Sequence, residues 1–117
     1  MAASQAALDV MLDALAAAGT YISAHTAAPD GTGSNEVTGG SYARQQTTWG
    51  SKSGTTTRSR TGSQVTVPIP ASTTVTHYGQ WSAATSGTFY GSVDVSDEPF
   101  GSGGNLLVTP TISQTAS

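Results

Sequence analysis

From Thr73 to Val95 the chain alternates: Val75, His77 and Trp81 stand against Thr74, Thr76, Tyr78, Gln80 and Ser82. After Ala83–Gly87 the alternation resumes, with Phe89, Val93 and Val95 against Thr88, Tyr90, Ser92 and Asp94. A period of two on both sides of a short Ser/Gly turn predicts an antiparallel hairpin with one buried face. Trp81 and Phe89 share a parity and are expected to meet beneath the turn. With Val65, Val67, Val75 and Val93 they make the expected core.

The period changes at the start of the chain. Leu8, Met11, Leu12 and Leu15 fall at i, i+3, i+4 and i+7, which predicts a helix over Ala3–Ala18 with these residues on one face. Ser4 suits the cap and Gly19 the C′ position. A lone helix of this length is marginal in water, so the stripe must pack on its own sheet or on another subunit. Asp9 and Asp13 lie off the stripe, toward water or a partner.

Tyr21–Thr26, Tyr42–Trp49, Gln64–Ile69 and Asn105–Ser113 read as further strands. Pro68 cannot donate to a ladder, so the third of these either lies at a sheet edge or ends there. Ala27–Ser41, Gly50–Gly62 and Ser96–Gly104 read as loops, rich in Gly, Pro and small polar residues. One helix and six or seven short strands predict a mainly β fold: an antiparallel β-sandwich or jelly-roll-like barrel with one N-terminal α-helix. Residues 1–19 would be the helical segment and 20–117 the sandwich, together one domain.

Composition narrows the function. Only 9% of the 117 residues are charged, the net charge is −3 and there is no cysteine. Arg44, Lys52, Arg58 and Arg60 are too few cations for a phosphate backbone, so no nucleic-acid partner is expected. No apolar run reaches the ~20 residues that span a bilayer, and no membrane partner is expected. The apolar start lacks the Lys or Arg of a secretory signal, so synthesis inside the cell as a soluble protein is expected. So few charges suggest a surface partly covered by other chains.

Catalytic and metal signatures are weak. His25 and His77 sit mid-strand without metal-ligand spacing, and no G-x-S-x-G elbow singles out one of the many serines. Asp30, Asn35 and Glu36 give a superficial calcium-loop likeness but miss the alternating acidic ligands; a turn held by Asx-type hydrogen bonds fits better. Neither a cofactor, a metal nor an enzyme activity is expected. Arg44, in an otherwise uncharged stretch, could fix the loop by pairing with Glu36 or reach another subunit.

Two stretches carry a resemblance: YISAHTAAPDGTGSNEVTGGSYAR over Tyr21–Arg44, and VTHYGQWSAATSGTFYGS over Val75–Ser92. They resemble a family of small tailed-bacteriophage virion proteins, described as head decoration or tail fibre proteins. Its members carry YISLHTADPG…NEVTGGSYAR and THVGLWDAATGGTFLGSG. This chain departs at Ala24, where the family has Leu, and at Ser82, where it has Asp. The resemblance implies an oligomeric all-β virion module and no catalytic or metal residue.

Read as a stand-alone chain without a shaft, the protein is expected on the capsid exterior, as a decoration protein bound to the major capsid protein. A tail fibre or receptor-binding tip is the alternative. A homotrimer is expected, because threefold positions multiply weak contacts. The candidate interface residues are Leu8, Met11, Leu12 and Leu15 on the helix, Pro29, Asp30, Asn35 and Glu36 in the loop, and Arg44.

Overall fold

The structure is a computed structural model that describes residues 3–116. Residues 1, 2 and 117, at the outer ends of the two expected segments, lie outside the described residues. Helix α1 (Gln5–Ala18) starts at Ser4, whose Oγ accepts a hydrogen bond from the Ala7 N–H at 3.2 Å. Its buried face is Leu8, Leu12 and Ala16, with Leu15 half-buried and Met11 41% exposed. The stripe is therefore rotated from the expected one. Small Ala16 enters it because the helix lies close on its own strands, where Leu12 and Ala16 cluster with Ile112.

Gly19 does not take the left-handed C′ conformation; its φ of −127° and ψ of 102° are extended. The missing side chain serves close approach instead, since a Cβ there would lie 2.7 Å from Gln80 Nε2. Gln80 Nε2 donates to the Gly19 carbonyl at 2.7 Å and more weakly to that of Leu15 at 3.3 Å, and Trp49 Nε1 donates to Gly19 at 2.9 Å. Side chains from the sheets thus cap the helix end that a left-handed residue would otherwise close.

Among the described residues nine strands follow: β1 (Tyr21–His25), β2 (Gln45–Gln46), β3 (Trp49–Ser53), β4 (Thr57–Gly62), β5 (Val65–Ile69), β6 (Thr73–Trp81), β7 (Phe89–Phe100), β8 (Gly104–Val108) and β9 (Thr111–Thr115). They form antiparallel sheets in the orders β2-β1-β6-β7, β3-β4-β9 and β5-β8. The mainly β antiparallel architecture with one N-terminal helix is as the periodicity predicts. β5, which carries Pro68, has β8 as its one neighbour, in keeping with an edge position.

Four segments differ from expectation. Ser96–Gly104 is not a loop throughout: Ser96–Phe100 continue β7, where Glu98, Pro99 and Phe100 pair with Val75, Thr74 and Thr73, and Gly104 opens β8. Gly50–Gly62 is not a loop but most of the hairpin β3–β4; its Ser/Thr/Arg sequence lacks apolar alternation because its polar side chains bond to each other and to the helix. Of Tyr42–Trp49, only Gln45–Gln46 and the terminal Trp49 lie in strands. The last strand breaks at Thr109–Pro110, so that β8 pairs with β5 and β9 with β4.

There are two cores. Ile22, Ala24, Val75 and Tyr78 of the four-stranded sheet pack with Val37, Val65, Val67, Ile69 and Val108. Leu12, Ala16 and Ile112 form the second, between α1 and the three-stranded sheet, and Trp49 packs against both. Of the expected core of odd-numbered residues, Val65, Val67 and Val75 lie in the first core, while Trp81, Phe89 and Val93 lie in neither, because the β6–β7 register shifts twice, between Val75 and His77 and between Gln80 and Trp81. Val75 and Tyr78, of opposite parity, consequently share a core. Trp81 and Phe89 meet as expected, with ring centroids 5.2 Å apart, but outside either core, while Val93 is 40% exposed.

Candidate functional site

The Trp81 end of β6 is covered by the loop from Thr26 to Ala43. Thr26 N–H donates to Asn35 and Val37 N–H to Ala24, both at 2.9 Å, so the loop leaves and rejoins the edge of β1. Between them the Thr32 N–H donates to Asp30 Oδ1 at 2.8 Å, the Asx-type turn expected of this sequence. Gly33, at φ +77°, lies on the indole: a Cβ there would stand 2.5 Å from Trp81 Cζ2 and 2.9 Å from Phe89 Cδ1. Only glycine meets both demands.

Arg44 fastens this cover. Its Nε and Nη2 each reach a Glu36 oxygen at 2.9 Å, its Nη1 donates to the carbonyls of Ala83 and Ser86, and the guanidinium lies 3.6 Å from the Trp81 ring centroid. The Arg44 and Glu36 side chains are 8% and 20% exposed. Of the two fates open to Arg44, the structure shows the pairing with Glu36. Tyr42 Oη donates to Glu36 Oε2 at 2.6 Å and accepts from the Ala24 N–H at 3.1 Å. Burial opposes the Glu36 charge, yet the Arg44 and Tyr42 hydrogen bonds hold its carboxyl below the ordinary 4.5. Burial, reinforced by the bond to Glu36, pushes the Tyr42 hydroxyl well above its ordinary 10.0.

Beneath Trp81 runs a second chain of bonds. The Ser34 carbonyl can only accept, so His25 Nδ1, 2.8 Å away, carries the proton. His25 Nε2 then accepts from Ser23 Oγ at 2.7 Å, and Ser23 Oγ accepts from Trp81 Nε1 at 2.9 Å. Burial is the main cause that pulls the imidazole below 6.5. Both ring nitrogens are engaged, which leaves His25 as a hydrogen-bonded core residue.

The other Lys and Arg side chains also find partners within the chain. Arg58 pairs with Asp9 at 2.8 Å, and Lys52 and Arg60 approach Asp13 at 2.7 and 3.3 Å, tying α1 to the β3–β4 hairpin. Of the predicted interface residues, Leu8 and Leu12 are packed inside, Leu15 is half-buried, and Met11 is open. Asp30 and Asn35 lie on the loop surface, Pro29 is partly covered, and Glu36 and Arg44 are brought together as the fastener. Beside Met11 the helix also exposes Val10, at 68%, which a search for one apolar stripe passes over.

β7 forms one edge of its sheet and carries Asp94, Asp97 and Glu98, all exposed. Asp94 stands 4.0 Å from His77 Nε2, and Asp97 and Glu98 have no ion-pair partner among the described residues. No helix among the described residues is long and apolar enough to cross a membrane.

Comparisons with curated proteins and with solved structures found no match. Residues 2–116 match the model of the family described as Podophage GP4 fiber I protein gp80. That match covers the helix, the fastened loop and all nine strands, and supports the phage virion resemblance carried by Tyr21–Arg44 and Val75–Ser92. The chain belongs to this family of phage fibre-type structural proteins of the virion.

Proposed function

We propose that the protein is a recognition module of the virion's fibre apparatus, acting through its surface and without catalysis. The observation that carries this reading is the match to a fibre protein family over residues 2–116. The geometry supports it. His25, Glu36, Tyr42 and Arg44, the residues best suited to acid–base work, are bound to one another or to the backbone. The described residues also bring together no metal-ligating cluster.

The head-decoration reading, in which the chain sits on the capsid exterior and binds the major capsid protein, makes a different prediction about stoichiometry. Quantitative mass spectrometry of purified virions separates the two. A copy number matching the tail's symmetry supports the fibre module, and one that scales with the capsid subunits overturns it.

Self-association as a homotrimer belongs to the same proposal. Val10 and Met11 on α1 and the outer loop residues Asp30 and Asn35 are its contact candidates. Light scattering from the purified chain should give a trimer, and a monomer of 11.7 kDa at all concentrations would exclude it.

A further inference from the structure

A cleft of about 230 Å³ opens between the C-terminal end of α1, strand β9 and the β6–β7 hairpin. Trp49, Tyr78, Gln80, Tyr90, Ser92 and Val93 are among its walls. None of its lining residues is an acid, a cation or a histidine. The cleft is smaller than the about 300–1,000 Å³ of pockets for drug-sized ligands, so it suits a single ring.

Its polar groups are few and partly used. Trp49 Nε1 is bound to Gly19, which leaves the indole as apolar wall. Gln80 is 6% exposed, and its nitrogen donates to Leu15 and Gly19. Gln80 Oε1 accepts no hydrogen bond from the described residues. No fully buried side-chain atom among them lacks a partner, so this oxygen keeps access to solvent, and Gln80 is one of the residues that line the cleft. Tyr78 Oη accepts from the Thr111 N–H at 3.1 Å and has its own proton to give. Tyr90 adds a ring that is 42% exposed.

We propose that this cleft binds one uncharged sugar ring. A pyranose has a flat C–H face that packs on aromatic walls and hydroxyls at its edge that both donate and accept. The free Gln80 oxygen and the Tyr78 hydroxyl ask for that pair of functions. A purely apolar guest would bury the Gln80 acceptor without a partner, and an acidic sugar or phosphate would find no cation among the lining residues. The proposal deepens the recognition reading above and rests on it for its biological setting. A single site of this size binds weakly, and repetition over a multimeric fibre raises the avidity.

The test is a titration of the isotope-labelled full chain, followed by NMR, with glucose, galactose, mannose, rhamnose and N-acetylglucosamine, each alone. N-acetylneuraminic acid is the charged control. At least one neutral sugar is expected to shift the Trp49 indole and the Tyr78 and Tyr90 signals saturably. Tyr90→Ala, at an exposed position, should keep the melting temperature and weaken that binding at least about tenfold, while Tyr90→Phe retains it. The proposal is overturned if no neutral sugar gives a saturable shift, if the control binds equally well, or if Tyr90→Ala leaves the affinity unchanged. These outcomes are independent of virion copy number, so the cleft can fail while the fibre reading stands, and the reverse.

Discussion

The Trp81 end of the hairpin and the β7 edge both carry carboxylates and hydroxyls, yet they use them in opposite ways. At the Trp81 end Glu36 meets Arg44 and Tyr42, and the Ser23–His25 chain joins Trp81 to Ser34. Along β7 the carboxylates face water, and Asp94 is 80% exposed. A polar group satisfied inside the chain is part of the fold; one left over is available to water or a partner. The β7 charges also guard the sheet edge, since an open edge strand invites strand pairing with other chains and charge, bulges and Pro99 discourage it.

The largest effects should come from breaking the fastened end. Trp81→Ala is expected to cost about 3–5 kcal/mol in denaturant unfolding, by emptying the aromatic site under the loop. Arg44→Leu should cost a similar ~3–5 kcal/mol, because it strands the Glu36 carboxylate and the Ala83 and Ser86 carbonyls. If either variant unfolded like the parent, the Trp81 end would be a surface patch like β7. Gly33→Ala should cost about 1–3 kcal/mol for its left-handed backbone, plus the clash with Trp81.

Stability should follow pH in three windows. The folded state lowers the affinity of His25 for a proton, so stability is lost as pH falls from 6.5 toward the folded value. Glu36 is lowered too, and its contribution goes as pH falls below 4.5. Tyr42 is raised, so stability declines as pH climbs past 10.0, where the unfolded chain ionises first. Melting temperatures across pH should show the upper acid step vanish in His25→Gln, and its persistence there would assign the step elsewhere.

The smallest effect belongs to β7. Asp94→Asn, Asp97→Asn and Glu98→Gln should each change stability by no more than about 0.5 kcal/mol. Combined, they should promote self-association by sedimentation. A large loss of stability in any one of them would mean that the edge is structural after all.

What the sequence shows follows the same division. Period-two alternation was enough for β5 and for the existence of the β6–β7 hairpin, and period 3.6 for α1. Parity failed where bulges shift the β6–β7 register: it placed Tyr78 and Gln80 outside and Val93 inside, and so hid two walls of the cleft. Hairpin β3–β4 escaped notice because its strands are held by hydroxyl pairs and by Arg58 and Arg60, which carry no hydrophobic period. The Glu36–Arg44 pairing was foreseeable as the one cation near a polar loop. Its seat over Trp81 was not, because the β2–β1–β6 pairing brings those residues together from distant parts of the chain.

The most direct test of the division between fold and recognition is host-cell adsorption of virions carrying Glu36→Gln, at a temperature where circular dichroism shows the variant folded. Adsorption should equal that of the parent, because Glu36 serves only to hold the loop down. Lost adsorption by a fully folded variant would make the fastened loop the recognition surface and contradict the account.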